Sequence, residues 1–228
     1  MRWVKKIWFP LNLYLIRSRS RFNKNIVIAR DAVDLKRFNI KITRKGARKK
    51  LGVSLSKKVA VYTGTISQEK GIDILLKTAN QLPFVDFYLL GKSDNRIRER
   101  LKNYKNVKLI GQVNNNLVPL YLKTADFLLI PHHSSIKFQS PMKLFEYLAS
   151  QRFIISSDLE NIREILNDTN ALFYKHNNPQ DFVKKINLFL ANQKSYESKL
   201  KITEDKIKNF TWRKRGKIIS NLIKNSLN

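Results

Sequence analysis

Short apolar runs recur along the chain, and each is closed by glycine, proline or serine. The runs occupy residues 59–63, 84–90, 107–110, 127–130 and 153–155, and the closing residues are Gly64, Gly91, Gly111, Pro131 and Ser156. None of the runs alternates regularly between apolar and polar positions, as a strand with one solvent-facing side does. The pattern therefore predicts strands that are buried on both faces of a sheet.

Segments of helical period lie between and after these runs. The apolar positions that share one face are Ile72, Leu75, Leu76 and Ala79, then Ile97 and Leu101, then Leu117, Leu120 and Tyr121, then Met142, Phe145 and Ala149, and finally Phe182, Ile186, Phe189 and Leu190. Strands that alternate with helices are typical of βαβ units. We expect an α/β fold with a doubly wound, mostly parallel, Rossmann-like sheet.

In such a sheet, ligands bind beyond the carboxyl ends of the strands. Three of the seven glycines, Gly64, Gly91 and Gly111, stand at those ends, where glycine lets the backbone approach a ligand or adopt positive φ. Ordinary turn chemistry explains any single one of them equally well. The three together favour a binding cleft at this edge.

The segment from Gly64 to Gly71 joins the first strand to its helix. A glycine turn with free amides, followed by Lys70 beside a helix start, suits a pyrophosphate, although most loop lysines are merely solvated. The segment lacks the residue order of a P-loop, and the chain has no G-x-G-x-x-G motif, which argues against a dinucleotide oxidoreductase.

A second candidate segment runs from Ser140 to Ala149. Ser140 suits an N-cap and Pro141 suits the first helical position, so a helix is expected to begin here. Lys143 and Glu146 are three residues apart and share one face of that helix. A carboxylate there can accept hydrogen bonds from ribose hydroxyls while the lysine faces phosphate. A surface ion pair is the alternative.

Several motifs occur in a fixed order along the chain, from about Asp31 to its end. They cover residues 31–38, 62–73, 109–113, 125–131, 140–149, 154–165 and 210–212. The series resembles the C-terminal, donor-binding half of the retaining GT-B glycosyltransferases of group 1 (family 4-like). The resemblance implies one of the two Rossmann-like halves of that architecture. It also implies transfer of a hexose from a nucleoside-diphosphate sugar to a glycan or a lipid-linked acceptor in cell envelope polysaccharide synthesis.

The resemblance assigns donor-binding roles to residues on the first and third strand ends. Gly64, Thr65 and Lys70 correspond to the turn that holds the donor pyrophosphate, although Thr65 stands where the family often has arginine. Gly111 and Val113 correspond to the backbone that lines the nucleobase slot. The nucleotide sugar is the donor substrate, and no further cofactor is expected.

The resemblance also assigns roles within the second candidate segment. Glu146 corresponds to the second glutamate of the family's E-x7-E motif, which binds the donor ribose, whereas Phe138 replaces the first glutamate. The residues expected under the phosphates and the transferred sugar are Ser140, Pro141, Met142 and Lys143. A sugar-contacting or catalytic role is possible near His133, and no catalytic residue is assigned.

Three regions follow from this comparison. Residues 1–57 correspond to the remnant of an N-terminal domain and a linker, 58–209 to the nucleotide-sugar-binding domain and 210–228 to a closing helix. The acceptor domain of a GT-B enzyme would be missing, so we expect a truncated chain whose acceptor domain is either absent or separately encoded.

Composition leaves a second class of function open. The 228 residues carry 45 Lys and Arg against 17 Asp and Glu, a formal net charge of +28 that favours polyanionic partners. A basic protein that binds nucleic acid or a membrane surface is therefore the alternative, although the lysines form no single stripe and no specific nucleic-acid motif occurs. The basic and aromatic residues 1–25 would suit peripheral contact with an anionic membrane.

Cysteine and histidine usage limits the chemistry further. The chain has no cysteine, which excludes disulfides, thiolate metal sites and cysteine nucleophiles. His132 and His133 are adjacent and His176 is remote, so we expect no metal site. No apolar run is long enough to span a bilayer, and we expect a cytoplasmic protein.

Overall fold

The computed structural model describes residues 29–133, 142–200 and 204–227. Its described part contains one parallel sheet of six strands in the order β3-β2-β1-β4-β5-β6. The strands are β1 (Lys58–Thr63), β2 (Val85–Leu90), β3 (Val107–Gly111), β4 (Phe127–Ile130), β5 (Phe153–Ser157) and β6 (Ala171–Tyr174). This is the doubly wound Rossmann order, in which the sheet grows outward in both directions from β1. The predicted fold class is confirmed.

The described helices flank this sheet. They are α1 (Leu35–Phe38), α2 (Arg44–Leu51), α3 (Ile72–Gln81), α4 (Asn95–Leu101), α5 (Val118–Thr124), α6 (Lys143–Ala149), α7 (Glu160–Arg163), α8 (Pro179–Ala191), α9 (Gln193–Lys199), α10 (Glu204–Ile207) and α11 (Trp212–Leu227). Side-chain caps begin several of them. In α8, for example, the Asn178 side chain accepts a hydrogen bond from the Asp181 amide, and Pro179 occupies the first helical position.

Most strands bury both faces, as the apolar runs predict. The prediction is wrong for the edge strand β3, where Lys108 is exposed and the residues after it are only partly buried. In β1, Ala60 and Tyr62 pack with α3, α4 and α8 on one side, whereas Val59 and Val61 pack with α5, α6 and α7 on the other. Successive side chains of a strand point to opposite faces, so one continuous apolar run serves two cores. In each core, the helices pack against the sheet through the apolar faces that the sequence predicts.

Two residues that the sequence pattern assigns to buried helical faces are exposed in the structure. Leu117 and Met142 are 42% and 51% exposed, because each is the N-cap residue of its helix and lies outside the first turn. The sequence pattern also places Phe84 in β2, but the strand begins one residue later and the Phe84 side chain is 50% exposed. β6 follows a short turn and was not predicted.

Residues from the predicted linker pack against the sheet domain. Asp126, at the start of β4, accepts hydrogen bonds from Arg48 of α2 at 2.7 Å and from the Val59 amide of β1 at 2.7 Å. The isolated bridge between Val33 and Thr211 joins the start of the described chain to the segment before α11. None of the described helices combines the length and the apolar composition needed to cross a membrane.

Candidate functional site

A crevice opens where β1 and β4 separate. The two strands pair only at Ala60 with Phe127 and at Val61 with Leu128, and the chain leaves them toward opposite sides of the sheet. Ligands of doubly wound sheets bind at this topological switch point. The Tyr147 hydroxyl bridges the floor of the crevice.

The crevice holds a cavity of about 380 Å³ beyond the carboxyl ends of the strands. The residues that line it come from β1, β2, α5 and α6, from the segments after β1, β2, β3 and β4, and from the N-cap of α6. They are Thr63, Gly64, Thr65, Lys70, Leu90, Gly91, Gln112, Val113, Asn115, Val118, His132, Met142, Lys143 and Glu146. This volume falls within the usual range of small-molecule sites.

Backbone packing shapes the wall at the end of β1. The Gly64 amide donates to the Leu90 carbonyl at 2.8 Å, and the Gly91 amide donates to the Gly111 carbonyl at 2.8 Å. A Cβ on Gly64, where φ is +120°, would lie 2.8 Å from the Nζ atom of Lys143. Glycine is therefore needed at this strand end both for its backbone conformation and for the close approach of a cation.

Basic side chains converge on this wall. Burial lowers the pKa of the Lys143 ammonium well below the ordinary lysine value, and the nearby Lys70 lowers it further while Glu146 raises it. Burial also lowers the pKa of Lys70 itself, against an opposing effect of Glu69. The pKa of His132 is lowered well below 6.5, first by burial and then by the two lysines. Because this cavity disfavours the charged forms of its own basic side chains, an anionic ligand bound there would stabilise those charged forms.

The single carboxylate among the described lining residues, Glu146, lies on the helix α6. Burial raises the pKa of this carboxyl group, whereas Arg37, whose Nη2 atom donates to Oε1 at 2.6 Å, lowers it. The two side chains are 29% and 27% exposed. Arg37 therefore anchors one oxygen of Glu146, and no described residue contacts the other oxygen within hydrogen-bond distance.

A less charged wall follows the end of β3. Gln112, Val113 and Asn115 lie here, and Val118 of α5 completes the surface. Gly111 is not one of the lining residues. It lies at the adjacent strand end, with φ of +81° and open space where a side chain would be.

The structure brings most of the predicted site residues together. Gly64, Thr65, Lys70, Val113, Met142, Lys143 and Glu146 all line the cavity. Ser140 and Pro141 lie outside the described residues. α6 is described from Lys143, with Met142 as an N-cap that makes no side-chain cap hydrogen bond. The alternative of a surface ion pair fails, because the described partner of Glu146 is Arg37 and not Lys143.

Several side chains of the site escaped the sequence analysis, among them Gln112 and Asn115 after the end of β3 and, at the charged wall, Arg37 and His132. Arg37 reaches Glu146 from α1, across 109 positions of sequence. His132 lines the cavity, whereas the neighbouring His133 pairs through Nδ1 with the Asn177 side chain at 2.6 Å. The available signal for His132 was its place directly after the end of β4, where strand-end residues face the crevice.

A sequence profile of the family described as "Glycosyl transferases group 1" matches residues 43–206 of this chain. The chain belongs to that family. Two relatives are similar to it. The uncharacterized glycosyltransferase MJ1178 of Methanocaldococcus jannaschii is 24% identical over 161 residues, which are 68% of this chain and 44% of that protein. A Bacillus subtilis glycosyltransferase named for teichuronic acid biosynthesis, TuaC, is 27% identical over 66% of this chain and 38% of its own.

The solved structures that superpose on this chain show that it has the fold of GT-B glycosyltransferases. Sucrose-phosphate synthase from Thermosynechococcus elongatus superposes with a TM-score of 0.77 at 18% identity, over 87% of this chain and 52% of that one. Anabaena HepE, solved with UDP and glucose, gives 0.75 at 15% identity, over 86% and 56%. The C-terminal domain of LpcC, a group 1 protein of Francisella tularensis, gives 0.63 at 17% identity, over 76% and 95%.

These comparisons define which part of the GT-B architecture is present. The chain spans about half the length of the larger structures and less than half of the two sequence relatives. The LpcC match shows that the described sheet corresponds to the C-terminal domain of a GT-B glycosyltransferase.

Proposed function

We propose that the crevice binds a nucleoside-diphosphate sugar and that this domain is the donor-binding half of a retaining glycosyltransferase. The observation that carries the proposal is the cavity at the β1–β4 switch point, which Lys70, Lys143 and Glu146 line together. Two ammonium groups suit a diphosphate, and a half-buried carboxylate anchored by arginine suits ribose hydroxyls. The structural neighbour HepE, which was solved in complex with UDP and glucose, is in keeping with such a donor.

Each part of the donor has a proposed place. Gly64, Thr65, Lys70 and Lys143 would hold the diphosphate, together with Ser140, Pro141 and Met142 near the phosphates and the sugar. Glu146 would accept the ribose hydroxyls, with Arg37 keeping it ionised. Gly111 and Val113 would flank the base, whose polar edge the amides of Gln112 and Asn115 would face.

Calorimetric titration of the full chain with UDP, GDP and ADP tests the proposal. Replacing Lys70 by alanine removes a charge-assisted contact worth about 1.5–3 kcal/mol, so the affinity should fall roughly 10- to 100-fold. Glu146→Ala should weaken UDP binding and leave the affinity for inorganic pyrophosphate less affected. Lys77→Ala, on the exposed side of α3, is the matched control and should bind like the wild type. Failure of all three nucleotides to bind would refute the site.

Salt dependence separates this proposal from the nucleic-acid alternative. Counterion release makes the affinity of a basic protein for duplex DNA fall linearly on logarithmic axes as salt increases. Partly buried ion contacts are screened far less than exposed ones. We expect the dissociation constant for UDP to change much less between low and physiological salt than that for a duplex. A steep salt dependence for both ligands would favour a nonspecific basic surface.

We further propose that the complete reaction transfers a hexose to a glycan or lipid-linked acceptor, with retention of configuration. The acceptor would be bound by a second domain facing the crevice, whether that domain is on the same or on a separate polypeptide. The anomeric proton coupling of the product, compared with that of the donor by NMR, tests retention. Transfer catalysed by the present 228 residues alone would refute the need for a second domain.

A further inference from the structure

The ammonium group of Lys143 has an unusual set of neighbours. Among the described residues, no carboxylate lies within ion-pair distance of its Nζ atom. Instead, Nζ lies 4.0 Å from the centre of the Tyr62 ring and 3.4 Å from Nε2 of His132. The adjacent Gly64 has no side chain to separate Nζ from the end of β1. Lys143 is thus held by neutral groups.

The environment of His132 determines whether its Nε2 atom donates or accepts the hydrogen bond in the contact with Lys143. Its side chain is 1% exposed, and burial together with the nearby lysines favours the uncharged imidazole. A neutral imidazole has one nitrogen that donates and one that accepts. Because an ammonium group can only donate, Nε2 must accept from Lys143 and the ring proton must lie on Nδ1. In the described part of the chain, Nδ1 has no partner of its own.

We infer that His132 is a positioning residue that holds the Lys143 ammonium by a neutral hydrogen bond, leaving its positive charge available for the donor diphosphate. The inference rests on the proposed function of this cavity. A carboxylate at the same place would fix the lysine equally well but would neutralise its charge, and a cation would repel it. A buried neutral acceptor does neither.

A coupling between donor binding and protonation follows from this arrangement. In the free protein, the groups that face Lys143 are His132 and the Tyr62 ring, with Lys70 and Glu146 nearby, and the pKa of its ammonium is lowered by burial. A bound diphosphate adds negative charge beside Nζ and raises that pKa. Between the two pKa values, binding takes up a proton, and affinity falls as the pH rises through this window.

The test compares glutamine and glutamate at position 132. The Gln side chain brings a neutral oxygen acceptor to about the place of Nε2, and the Glu side chain brings a charged one. UDP is titrated calorimetrically into the full chain in two buffers that differ in ionisation enthalpy, which yields both the affinity and the number of protons taken up. His176→Gln and His176→Glu are the matched controls, since His176 is exposed and does not line the cavity.

We expect His132→Gln to stay within about threefold of the wild-type affinity and to keep the proton uptake, since a neutral acceptor is retained. His132→Glu should bind UDP about tenfold more weakly or worse, an effect comparable to the loss of a charge-assisted hydrogen bond, and should show no uptake. Both variants at position 176 should match the wild type.

Each other outcome has a definite meaning. Equal affinity and equal proton uptake in His132→Glu and the wild type would overturn the inference while leaving the proposed function intact. Equal loss in both His132 variants, accompanied by equal loss of thermal stability, would make His132 a structural residue and would also overturn it. If neither variant folds, wild-type binding without proton uptake overturns it. Absence of UDP binding in the wild type would instead refute the proposed function.

Discussion

The Tyr147 hydroxyl offers a direct test of how the crevice is held open. Its oxygen accepts a hydrogen bond from the Thr63 amide at 2.8 Å, and its proton points to the Leu129 carbonyl at 3.3 Å. The strands β1 and β4 no longer pair at this level, so the side chain of α6 replaces a strand as the partner of their backbone groups. Tyr147→Phe removes that partner and preserves the ring.

The magnitude follows from the burial of the groups left behind. Thr63 is 5% exposed, and the Tyr147 side chain is fully buried, so water has little access to the orphaned amide. An unsatisfied buried donor costs about 1–3 kcal/mol. For a domain of this size, that loss corresponds to a decrease of roughly 2–12 °C in the melting temperature.

Urea unfolding followed by circular dichroism measures this cost. Tyr121→Phe is the matched control, because this partly buried tyrosine of α5 has a hydroxyl without a described hydrogen bond, and its free energy of unfolding should change by less than about 0.5 kcal/mol. If Tyr147→Phe is as stable as the wild type, the hydroxyl does not support the split strands, and this reasoning about the crevice floor is wrong.

Two further substitutions test the packing around the site. Gly91→Ala would bring its Cβ to 1.9 Å from the Gly64 carbonyl oxygen, so it should destabilise the fold by more than about 2 kcal/mol and weaken UDP binding. Gly111→Ala meets open space and should cost only about 1 kcal/mol, for its positive φ alone, so equal urea midpoints for the two variants would contradict the argument. Asp126→Asn leaves the buried Arg48 guanidinium without its counter-ion and should lower the free energy of unfolding by about 3–5 kcal/mol, measured in the same assay. A loss below 1 kcal/mol would mean that the pair is solvated.

The sheet could be predicted because most of its strands are visible in the local sequence as continuous apolar runs. The runs that became β1, β4 and β5 are apolar except for Thr63 at the end of the first, and a strand in the middle of a doubly wound sheet must bury both faces. β6 was missed because Ala171–Tyr174, unlike the equally short β4, is followed by Lys175 and not by the glycine, proline or serine that closes the predicted runs. Short runs of that kind do not distinguish a strand from a loop.

The site was predictable only where its residues sit next to a strand end or within one helix. Gly64 and Lys70 follow β1, and Lys143 and Glu146 lie one turn apart on α6, so each pair could be found from local sequence. The contact between Arg37 and Glu146 could not, since it depends on how α1 packs against α6. Long-range side-chain pairs require the tertiary structure.

At this site, the positions of the charged groups matter more than the net charge of the chain. The net charge of +28 is spread along the whole sequence, and most lysines that the structure describes are exposed, where ionic screening and flexible side chains make each charge weak. Within the cavity, burial concentrates the effect of two ammonium groups, and the one described carboxylate is already engaged by arginine. We expect that replacing a surface lysine changes ligand affinity little and that replacing Lys143 lowers it, because the surroundings that lower the pKa of Lys143 also favour a bound anion. Under the proposed function, we therefore expect selectivity for a diphosphate over other polyanions to depend on these few partly buried groups.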